Sequence, residues 1–383
     1  MNKVLVHLSR DLLVKSIQHV CKAVSTHSQE PFSSGLYIYA GNEGVIFSGR
    51  NKSLTVQYTV CITDSKLHIF NKGSIVCPAK YLYEIIRKFN EGTVILEVNE
   101  QHMLSISSGN TRVCLNGLLP IEYPFIPTPY GQLEDNSVDV ACSSLKSLIK
   151  QVAGAASTSE AKPILTGVLL NIQENKLTML ATDGVIRMAK RTIWIANEKK
   201  FSESVIIPAN NLMEIAKLLD DDEQGEVTLQ LYPHKIRIIV QNQIIESVLI
   251  EGFYPSTTNL VPTSHVSEII LDIRSFRKML DRVFVLADYH LITMRVSEKK
   301  LELVSSTVEI GDVRDVLFLE DKRGWDFSIT INGKYLLSTL RCIESDNIRI
   351  RFAGSKSPLV LLPPSEDNTW LFLLNPVMTR LSS

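Results

Sequence analysis

The stretch CPAKYLYEIIRKF at 77–89 occurs a second time in the chain as IPANNLMEIAKLL at 207–219. A third and less similar copy, INGKYLLSTLRCI, occupies 331–343. Successive copies start 130 and 124 residues apart. Each copy combines the end of a strand with a short polar or small segment and an apolar helix. The regular spacing therefore predicts one structural unit that is present three times.

Amphipathic helices near the start of each third keep the same period. They are predicted at 9–25, 142–157 and 272–287. Apolar side chains at i, i+4 and i+7 share one helical face and predict the side that is buried. These positions are Leu13, Ile17 and Val20, then Leu145, Ile149 and Val152, then Phe276, Leu280 and Val283. The residues predicted to cap the helix N-termini are Ser9, Ser143 and Asp272.

Strand patterns occupy most of the remaining sequence. Hairpins around polar turns are predicted at 35–49, 167–182 and 292–306. More strands follow each repeated helix, so each third reads β-α-β-β-β twice. Short links between neighbouring strands favour antiparallel sheets, and helices on one face of such sheets define an α+β fold. We expect three tandem similar domains, at 1–127, 128–262 and 263–383.

Composition limits the class of protein. The 383 residues include 45% hydrophobic and 21% charged residues, which is typical of globular domains. With 40 Lys and Arg against 41 Asp and Glu, the chain is not a globally basic nucleic-acid binder. The six cysteines are scattered without a CxxC pair, which indicates reduced thiols and no zinc site. Arg10 and Asp11 interrupt the start before a signal-peptide core forms, and no apolar run reaches the ~18 residues that span a bilayer. We expect a soluble cytoplasmic protein without membrane contact.

Positive charge is concentrated on the predicted helices. The windows 9–25, 78–89, 142–157, 208–219, 272–287 and 332–341 hold fifteen Lys or Arg and five Asp or Glu. Their net charge is +10, and the rest of the chain carries −11. A positive net charge on a helix is ordinarily explained by a Lys-rich face that is exposed to solvent. If the helices of three domains share one surface, however, that surface attracts duplex DNA without reading its sequence. Motifs for reading bases are absent.

Four segments resemble the bacterial DNA polymerase III β subunit, the sliding clamp family. They are KPILTGVLLNIQENKLTMLATDG (162–184), VIIPANNLMEIAKLL (205–219), EGFYPSTTNLVP (251–262) and LFLLNPVM (371–378). The likeness covers essentially the whole chain. It implies that two three-domain chains join head to tail into a ring, with helices lining the hole and antiparallel sheets outside. Such a ring encircles double-stranded DNA as a homodimer, without a cofactor, metal or catalytic activity.

The resemblance also implies three sets of site residues. A pocket between the second and third domains takes short apolar peptides from the polymerase III α subunit, the clamp loader and other proteins with a clamp-binding motif. Its positions correspond to Ile164 and Leu165 on the first strand, and to Thr182, Gly184, Met188, Pro255, Leu260, Tyr335, Leu373, Pro376, Val377 and Met378. DNA contacts correspond to Lys15, Lys22, Lys80, Lys146, Lys150, Lys162, Arg277 and Lys278. In the dimer, Val283 and Phe284 would meet the partner subunit at strand residues equivalent to Val113 and Leu115.

The sequence departs from the family pattern near the pocket. The run TDGVIRMAKR has one residue more than the family before Arg187 and Met188. Either Met188 takes the family's Leu position after a local bulge, or Arg187 faces the pocket. Neighbouring side chains point to opposite faces of a strand, so these two outcomes are opposite. Met378 stands where the family has Arg, and His27 replaces an Arg of the first domain. These differences indicate a divergent clamp, such as a second copy, with weaker or altered peptide binding.

An enzyme and a protein-interaction scaffold are the two alternatives to a sliding clamp. The sequence holds no Walker A loop, HExxH, GxSxG or GxGxxG motif, and its eight histidines lack metal-ligand spacing. The acidic run 220–223 is typical of a solvated turn, and Asp183 lacks a nearby catalytic base, which disfavours an enzyme. A clamp-shaped scaffold that binds proteins but is not loaded on DNA is compatible with the same sequence.

Overall fold

The structure is a computed structural model, which describes residues 4–24, 34–90, 92–120, 123, 136–196, 201–219, 225–365 and 369–377. Contacts within the chain define two compact units rather than three. The first unit comprises 1–143 together with 214–249, and the second comprises 144–213 together with 250–383.

The described residues of the first third of the chain form two helices and nine strands. Its elements are β1 (Leu5–Ser9), α1 (Arg10–Cys21), β2 (Gly35–Ala40), β3 (Gly44–Arg50), β4 (Leu54–Cys61), β5 (Leu67–Asn71), β6 (Gly73–Pro78), α2 (Ala79–Ile86), β7 (Thr93–Val98), β8 (Met103–Ser108) and β9 (Thr111–Asn116). As predicted, Ser9 caps α1, because its hydroxyl accepts a hydrogen bond from the backbone N–H of Leu12 at 3.4 Å.

The middle third follows the predicted order. Its elements are β10 (Ser137–Ala141), α3 (Cys142–Val152), β11 (Gly167–Gln173), β12 (Lys176–Thr182), β13 (Arg187–Trp194), β14 (Glu203–Pro208), α4 (Ala209–Leu218), β15 (Glu226–Leu231), β16 (Lys235–Val240) and β17 (Gln243–Val248). Two 3-10 turns, Ala153–Ala155 and Pro163–Thr166, lie between α3 and β11. Ser143 lies inside α3, so the prediction that it caps this helix is wrong.

The last third repeats the pattern of the first. Its elements are β18 (Ser267–Asp272), α5 (Ile273–Phe284), β19 (Leu291–Ser297), β20 (Lys300–Thr307), β21 (Gly311–Phe318), β22 (Asp321–Gly324), β23 (Phe327–Asn332), α6 (Gly333–Cys342), β24 (Asn347–Phe352), β25 (Leu359–Leu362) and β26 (Trp370–Leu374). Asp272 caps α5 as predicted, since its carboxylate accepts from the N–H of Ser275 at 2.7 Å.

Four sheets are formed, and every strand pair described is antiparallel, as predicted. The first unit holds the five-stranded sheet β5-β1-β7-β8-β9 and the eight-stranded sheet β10-β15-β16-β17-β4-β3-β2-β6. The second unit holds the nine-stranded sheet β14-β11-β12-β13-β26-β25-β24-β18-β22 and the four-stranded sheet β21-β20-β19-β23. The pairs β17–β4 and β13–β26 extend two of these sheets across the repeats. The middle third is therefore divided between the units.

Two short strands depart from the predicted order. In the first third β5 pairs with β1, and in the last third β22 pairs with β18. Each lies after the hairpin strands and before the strand that leads into the second helix. The order β-α-β-β-β twice over is thus correct for the middle third, while the outer thirds each have one additional strand.

The helices are amphipathic as the periodicity predicts. Leu13, Ile17 and Val20 of α1 are fully buried, and so are Phe276 and Leu280 of α5. None of the six cysteines forms a disulfide in the described chain, and burial raises the pKa of Cys21 to about 12. Among the described residues, no helix is both long and apolar enough to cross a bilayer.

Candidate functional site

The turn that precedes β11 forms one wall of the candidate site. The prediction that Ile164 and Leu165 lie on a strand is wrong, because Pro163–Thr166 is a 3-10 turn. Pro163 starts the turn with its fixed φ, and the hydroxyl of Thr166 donates to the Pro163 carbonyl at 2.7 Å. Leu165 is buried, while Ile164 is half-buried. The turn therefore holds two apolar side chains against the end of the sheet.

A second wall is the turn between β12 and β13. Asp183 organises this turn, because its Oδ1 accepts hydrogen bonds from the N–H groups of Val185, Ile186 and Arg187 at 3.0, 2.8 and 3.1 Å. Gly184 follows with φ of 79°, in the left-handed region that favours glycine. On either side of this turn, Thr182 pairs directly with Met188 across the strands.

The orientation of Met188 and Arg187 follows from this register. Met188 is 3% exposed and packs in one apolar cluster with Leu180 and Leu373. Met188 therefore occupies the sheet face of the site, but Arg187 lines the smaller cavity as well, so the two alternatives do not exclude each other. The Arg187 side chain lies at the edge of the site, where its guanidinium donates to the carbonyl of Ala156 at 3.2 Å and pairs with Asp183 at 3.5 Å.

Tyr335 contributes to the site through Arg187. The guanidinium of Arg187 lies over the Tyr335 ring at 4.3 Å from its centroid, a cation–π contact. Tyr335 belongs to the first turn of α6, where the Asn332 side chain accepts a hydrogen bond from its N–H at 3.2 Å. Because Tyr335 lines neither cavity described below, we interpret it as a support for Arg187.

The segment 250–266, which we call the connector, closes the site. The Tyr254 hydroxyl accepts from the N–H of Thr182 at 3.0 Å and lies 3.5 Å from the Gly167 carbonyl. Burial raises the pKa of Tyr254 to about 12, with a further increase from the Asp183 charge and a decrease from the Thr182 hydrogen bond. The phenol therefore stays protonated and fixes the connector to the sheet. The neighbouring Phe253 ring is left 95% exposed.

These elements enclose two adjoining cavities, which together we call the two-part pocket. The larger is about 490 Å³ and is mainly apolar. Its lining includes Lys162, Pro163, Ile164, Leu165, Phe253, Pro255, Ser256 and Thr257. The smaller is about 220 Å³, with a lining that includes Val185, Ile186, Arg187, Met188, Asn259, Pro358, Leu373 and Asn375. Both cavities are lined by Thr182, Gly184 and Leu260.

Most of the predicted pocket residues, including Leu373, lie in these two cavities. Pro376 and Val377 line neither cavity, although the N–H of Val377 donates to the Thr330 carbonyl at 2.8 Å. Met378, like His27, lies outside the described residues. Sequence reasoning missed Phe253 and Asn375, and it assigned Lys162 to DNA contact rather than to the pocket. Each is within two residues of a predicted position, so adjacency in the chain was the available signal.

The predicted DNA-binding side chains differ in accessibility. Lys15, Lys80, Lys150, Lys162 and Lys278 are exposed, and Lys22 and Arg277 are half-buried. The Lys22 ammonium donates to the carbonyl of Lys217. Lys146 must be corrected, because it is only 8% exposed and is not presented to a duplex in this conformation. Lys162 lies in a loop and lines the larger cavity rather than a helix face.

The six helices remain basic with their observed bounds. They contain twelve Lys or Arg and four Asp or Glu residues. Several of these charges are paired at the surface, for example Arg282 with Asp315 and Arg341 with Asp281. Exposed pairs of this kind leave the net charge of the helices positive.

The predicted dimer contacts require one correction. Val113 and Leu115 are half-buried on β9, which is an edge strand of its sheet. Val283, however, is fully buried in its own domain, so it cannot contact a partner subunit. Phe284 is half-buried and its ring stacks on His290, with centroids 5.5 Å apart. The next residue, Val285, is 79% exposed.

Comparison with known proteins agrees with this architecture over nearly the whole chain. The N-terminal, central and C-terminal domains of the DNA polymerase III beta subunit match residues 5–127, 139–256 and 258–375. The beta sliding clamp of Bacillus subtilis is 33% identical over 97% of this chain and 99% of its own length. That of Staphylococcus aureus is 31% identical over 97% and 98%. The crystal structure of the DNA polymerase sliding clamp from Bacillus subtilis superposes with a TM-score of 0.93, covering 99% of this chain and all of that one.

The fold thus defines a three-domain clamp, built from tandem domains with antiparallel sheets and paired helices. The chain belongs to the DNA polymerase III beta subunit family, whose members are the bacterial sliding clamps. Within the described residues, no group of three or more His, Cys, Asp or Glu side chains is arranged to hold a metal ion.

Proposed function

We propose that this protein is a processivity factor that encircles double-stranded DNA and holds a polymerase on it. This proposal rests on one observation: three domains of the family match residues 5–375 of this single chain. We place the domain boundaries at 1–127, 128–262 and 263–383. The protein would have no catalytic activity of its own and would act in the cytoplasm, where the bacterial chromosome is replicated.

In this proposal two chains form a head-to-tail homodimer, a ring of six domains. The excess of basic residues on the helices supports a lining that attracts the DNA backbone without reading sequence. The near-neutral total charge agrees with a tether that needs no tight DNA contact. The DNA-facing residues we propose are Lys15, Lys22, Lys80, Lys150, Lys162, Arg277 and Lys278.

The two-part pocket is the proposed docking site for partner peptides. Its mainly apolar larger cavity, with polar groups at the edges, suits short apolar segments that anchor a protein. The partners we propose are the DNA polymerase III α subunit, the clamp loader and other proteins with clamp-binding motifs. The additional residue in the Asp183 turn supports a changed peptide preference, which titration of a consensus clamp-binding peptide would measure.

Encirclement can be separated from ordinary binding by the topology of the DNA. We expect a clamp loader to place the protein on nicked circular DNA, and linearisation of the circle to release it. A gel-filtration assay of labelled protein with the DNA measures both. Retention on linear DNA with free ends would indicate ordinary binding. A protein that binds the peptide but is never loaded would instead support the protein-interaction scaffold.

We predict that Phe253→Ala weakens the binding of a consensus clamp-binding peptide about fivefold. Phe253 lines the larger cavity, yet 95% of it is exposed in the free chain, so a bound peptide would cover an aromatic ring that is now in water. Covering roughly half of a Phe side chain contributes about 1 kcal/mol, which corresponds to about fivefold in affinity. Fluorescence polarisation with a labelled peptide measures the change.

Trp325→Ala is the matched control for this variant. Trp325 is 77% exposed in the same unit but lines neither cavity of the two-part pocket, so its loss should leave peptide affinity unchanged. Both variants should keep the melting temperature of the parent, because neither removes a buried side chain. Equal affinities of the Phe253→Ala variant and the parent would show that the ring is not a peptide contact.

A further inference from the structure

A third cavity in the second unit has a chemistry that the two-part pocket lacks. It measures about 250 Å³ and lies between the connector and the strands β13, β24, β25 and β26. We call it the basic cavity, because Lys190, His265 and Arg351 line it. The hydroxyl-bearing Thr192, Thr263 and Ser264 also contribute to its wall. It shares no lining residue with the two-part pocket.

The basic cavity continues the sheet face that forms the smaller part of the two-part pocket. Along β13, Met188 lines the pocket, and Lys190 and Thr192 line the basic cavity. Side chains two residues apart on a strand project from the same face, separated by about 6.6 Å. The same alternation relates Leu373 to Leu371 on β26. The two sites are thus consecutive along the strands.

The charges around the basic cavity are unbalanced. Glu268 is the acidic partner here: its Oε2 lies 2.7 Å from Arg351 Nε and 3.7 Å from His265 Nε2. The Arg351 guanidinium lowers the pKa of Glu268 against the opposing effect of its burial, so the pair is ionised and largely compensates itself. Lys190 is exposed and forms no ion pair with a carboxylate in the part of the chain that the structure describes. Its ammonium provides an uncompensated positive charge beside hydroxyl groups.

The floor of the basic cavity favours a peptide over a small inorganic ion. Val360, Leu362 and Leu371 form an apolar base, and they belong to the same side-chain cluster as Met188 and Leu373. An Asp or Glu side chain has methylene groups for such a surface and a carboxylate for Lys190. An extended peptide advances at most ~3.6 Å per residue, so two or three residues beyond the pocket reach the cavity.

We propose that the basic cavity binds an acidic side chain of the partner peptide, a few residues from the apolar segment in the two-part pocket. This inference rests on the proposed peptide-docking function and adds a second determinant of partner choice. Apolar contacts would supply most of the affinity, while the carboxylate would select among peptides with the same apolar segment.

The test uses a consensus clamp-binding peptide with a four-residue extension at either end. Each extension carries two Asp residues or, in the matched peptide, two Asn residues of the same shape. We expect one Asp extension to bind the intact protein about three- to tenfold more tightly than its Asn counterpart at low salt. At about 0.5 M salt the advantage should fall below about twofold, because screening weakens an accessible ion pair.

Lys190→Gln should abolish the difference between the Asp and Asn peptides while leaving the affinity of the Asn peptide unchanged. Lys299→Gln is the control, since it removes an exposed charge from the β19–β20 turn of the same unit. If the Asp and Asn peptides bound equally well with the extension at either end, the inference about the basic cavity would be overturned, but the docking function would not. An equal loss for both peptides in Lys190→Gln would also overturn it. If no peptide binds the parent protein, the docking function fails as well.

Discussion

Leu115→Asp should convert the homodimer into a monomer. Leu115 lies on the edge strand β9, where the proposed dimer covers it with the partner subunit. The proposed ring contains this interface twice, so each dimer would lose two apolar contacts and would have to bury two carboxylates. An apolar side chain contributes about 1.5–3 kcal/mol when buried, and an unpaired buried charge costs more. We therefore expect the dissociation constant of the dimer to rise at least about 100-fold.

Light scattering coupled to gel filtration measures this change directly. The mass should fall from twice that of the 43.0 kDa chain to that of one chain. Phe70→Asp is the control, because Phe70 is 58% exposed on β5, the opposite edge of the same sheet. That variant should remain dimeric. A Leu115→Asp protein that is still dimeric at micromolar concentration would contradict the proposed interface, and a monomeric parent protein would contradict the ring.

The buried faces of the helices could be predicted from the sequence, because local periodicity determines them. Val283 illustrates the strength of that signal. The i, i+4, i+7 pattern placed it on the buried face of α5, whereas the resemblance placed it at the dimer interface. The structure agrees with the periodicity, since Val283 is fully buried. Family positions transferred one by one can therefore err by a residue at an interface, where exposure changes from one helical position to the next.

Features that depend on distant backbone pairing were not predictable in this way. The short strand β22 has the sequence DKRG, which lacks strand-forming side chains, and it exists because its backbone pairs with β18. The division of the middle third between two units depends on pairs such as β17–β4, whose strands are far apart in sequence. Patterns in a single sequence indicate which side chains are buried, but they do not indicate which strand edges pair with each other.

The pocket shows the same limit. The residues were located by resemblance, yet whether Met188 or Arg187 faced it depended on where the additional residue was placed. The Asp183 turn preserves the pairing of Thr182 with Met188, and both Met188 and Arg187 line the smaller cavity. Lys146 was assigned to DNA contact through the resemblance, which does not report burial, and the structure leaves it only 8% exposed. A long lysine stem can pack along an apolar face, so charge type does not fix burial.

Among the positions of the peptide pocket, Asp183, which closes the turn between β12 and β13, should be the most sensitive to substitution. Asp183→Ala removes the acceptor for the N–H groups of Val185, Ile186 and Arg187, together with the ion pair to the Arg187 guanidinium. Hydrogen bonds to a charged acceptor contribute about 1.5–3 kcal/mol each, but water can replace part of them at this turn. We expect unfolding free energy to fall by about 2–4 kcal/mol and peptide affinity to fall at least about tenfold.

Asp183→Asn separates the two functions of the carboxylate. Its Oδ1 can still accept the three backbone hydrogen bonds, whereas the charge that pairs with Arg187 is lost. We expect this variant to keep most of the stability and to bind peptide within about threefold of the parent, because the three retained backbone hydrogen bonds, at 2.8–3.1 Å, hold the turn more closely than the ion pair at 3.5 Å. Peptide titrations are made below the melting temperature of every variant. The affinities then report the geometry of the folded pocket and not the loss of folded protein. If Asp183→Ala bound peptide as tightly as the parent, the turn would not position Gly184 and Met188, and the register of β12 and β13 alone would determine the pocket.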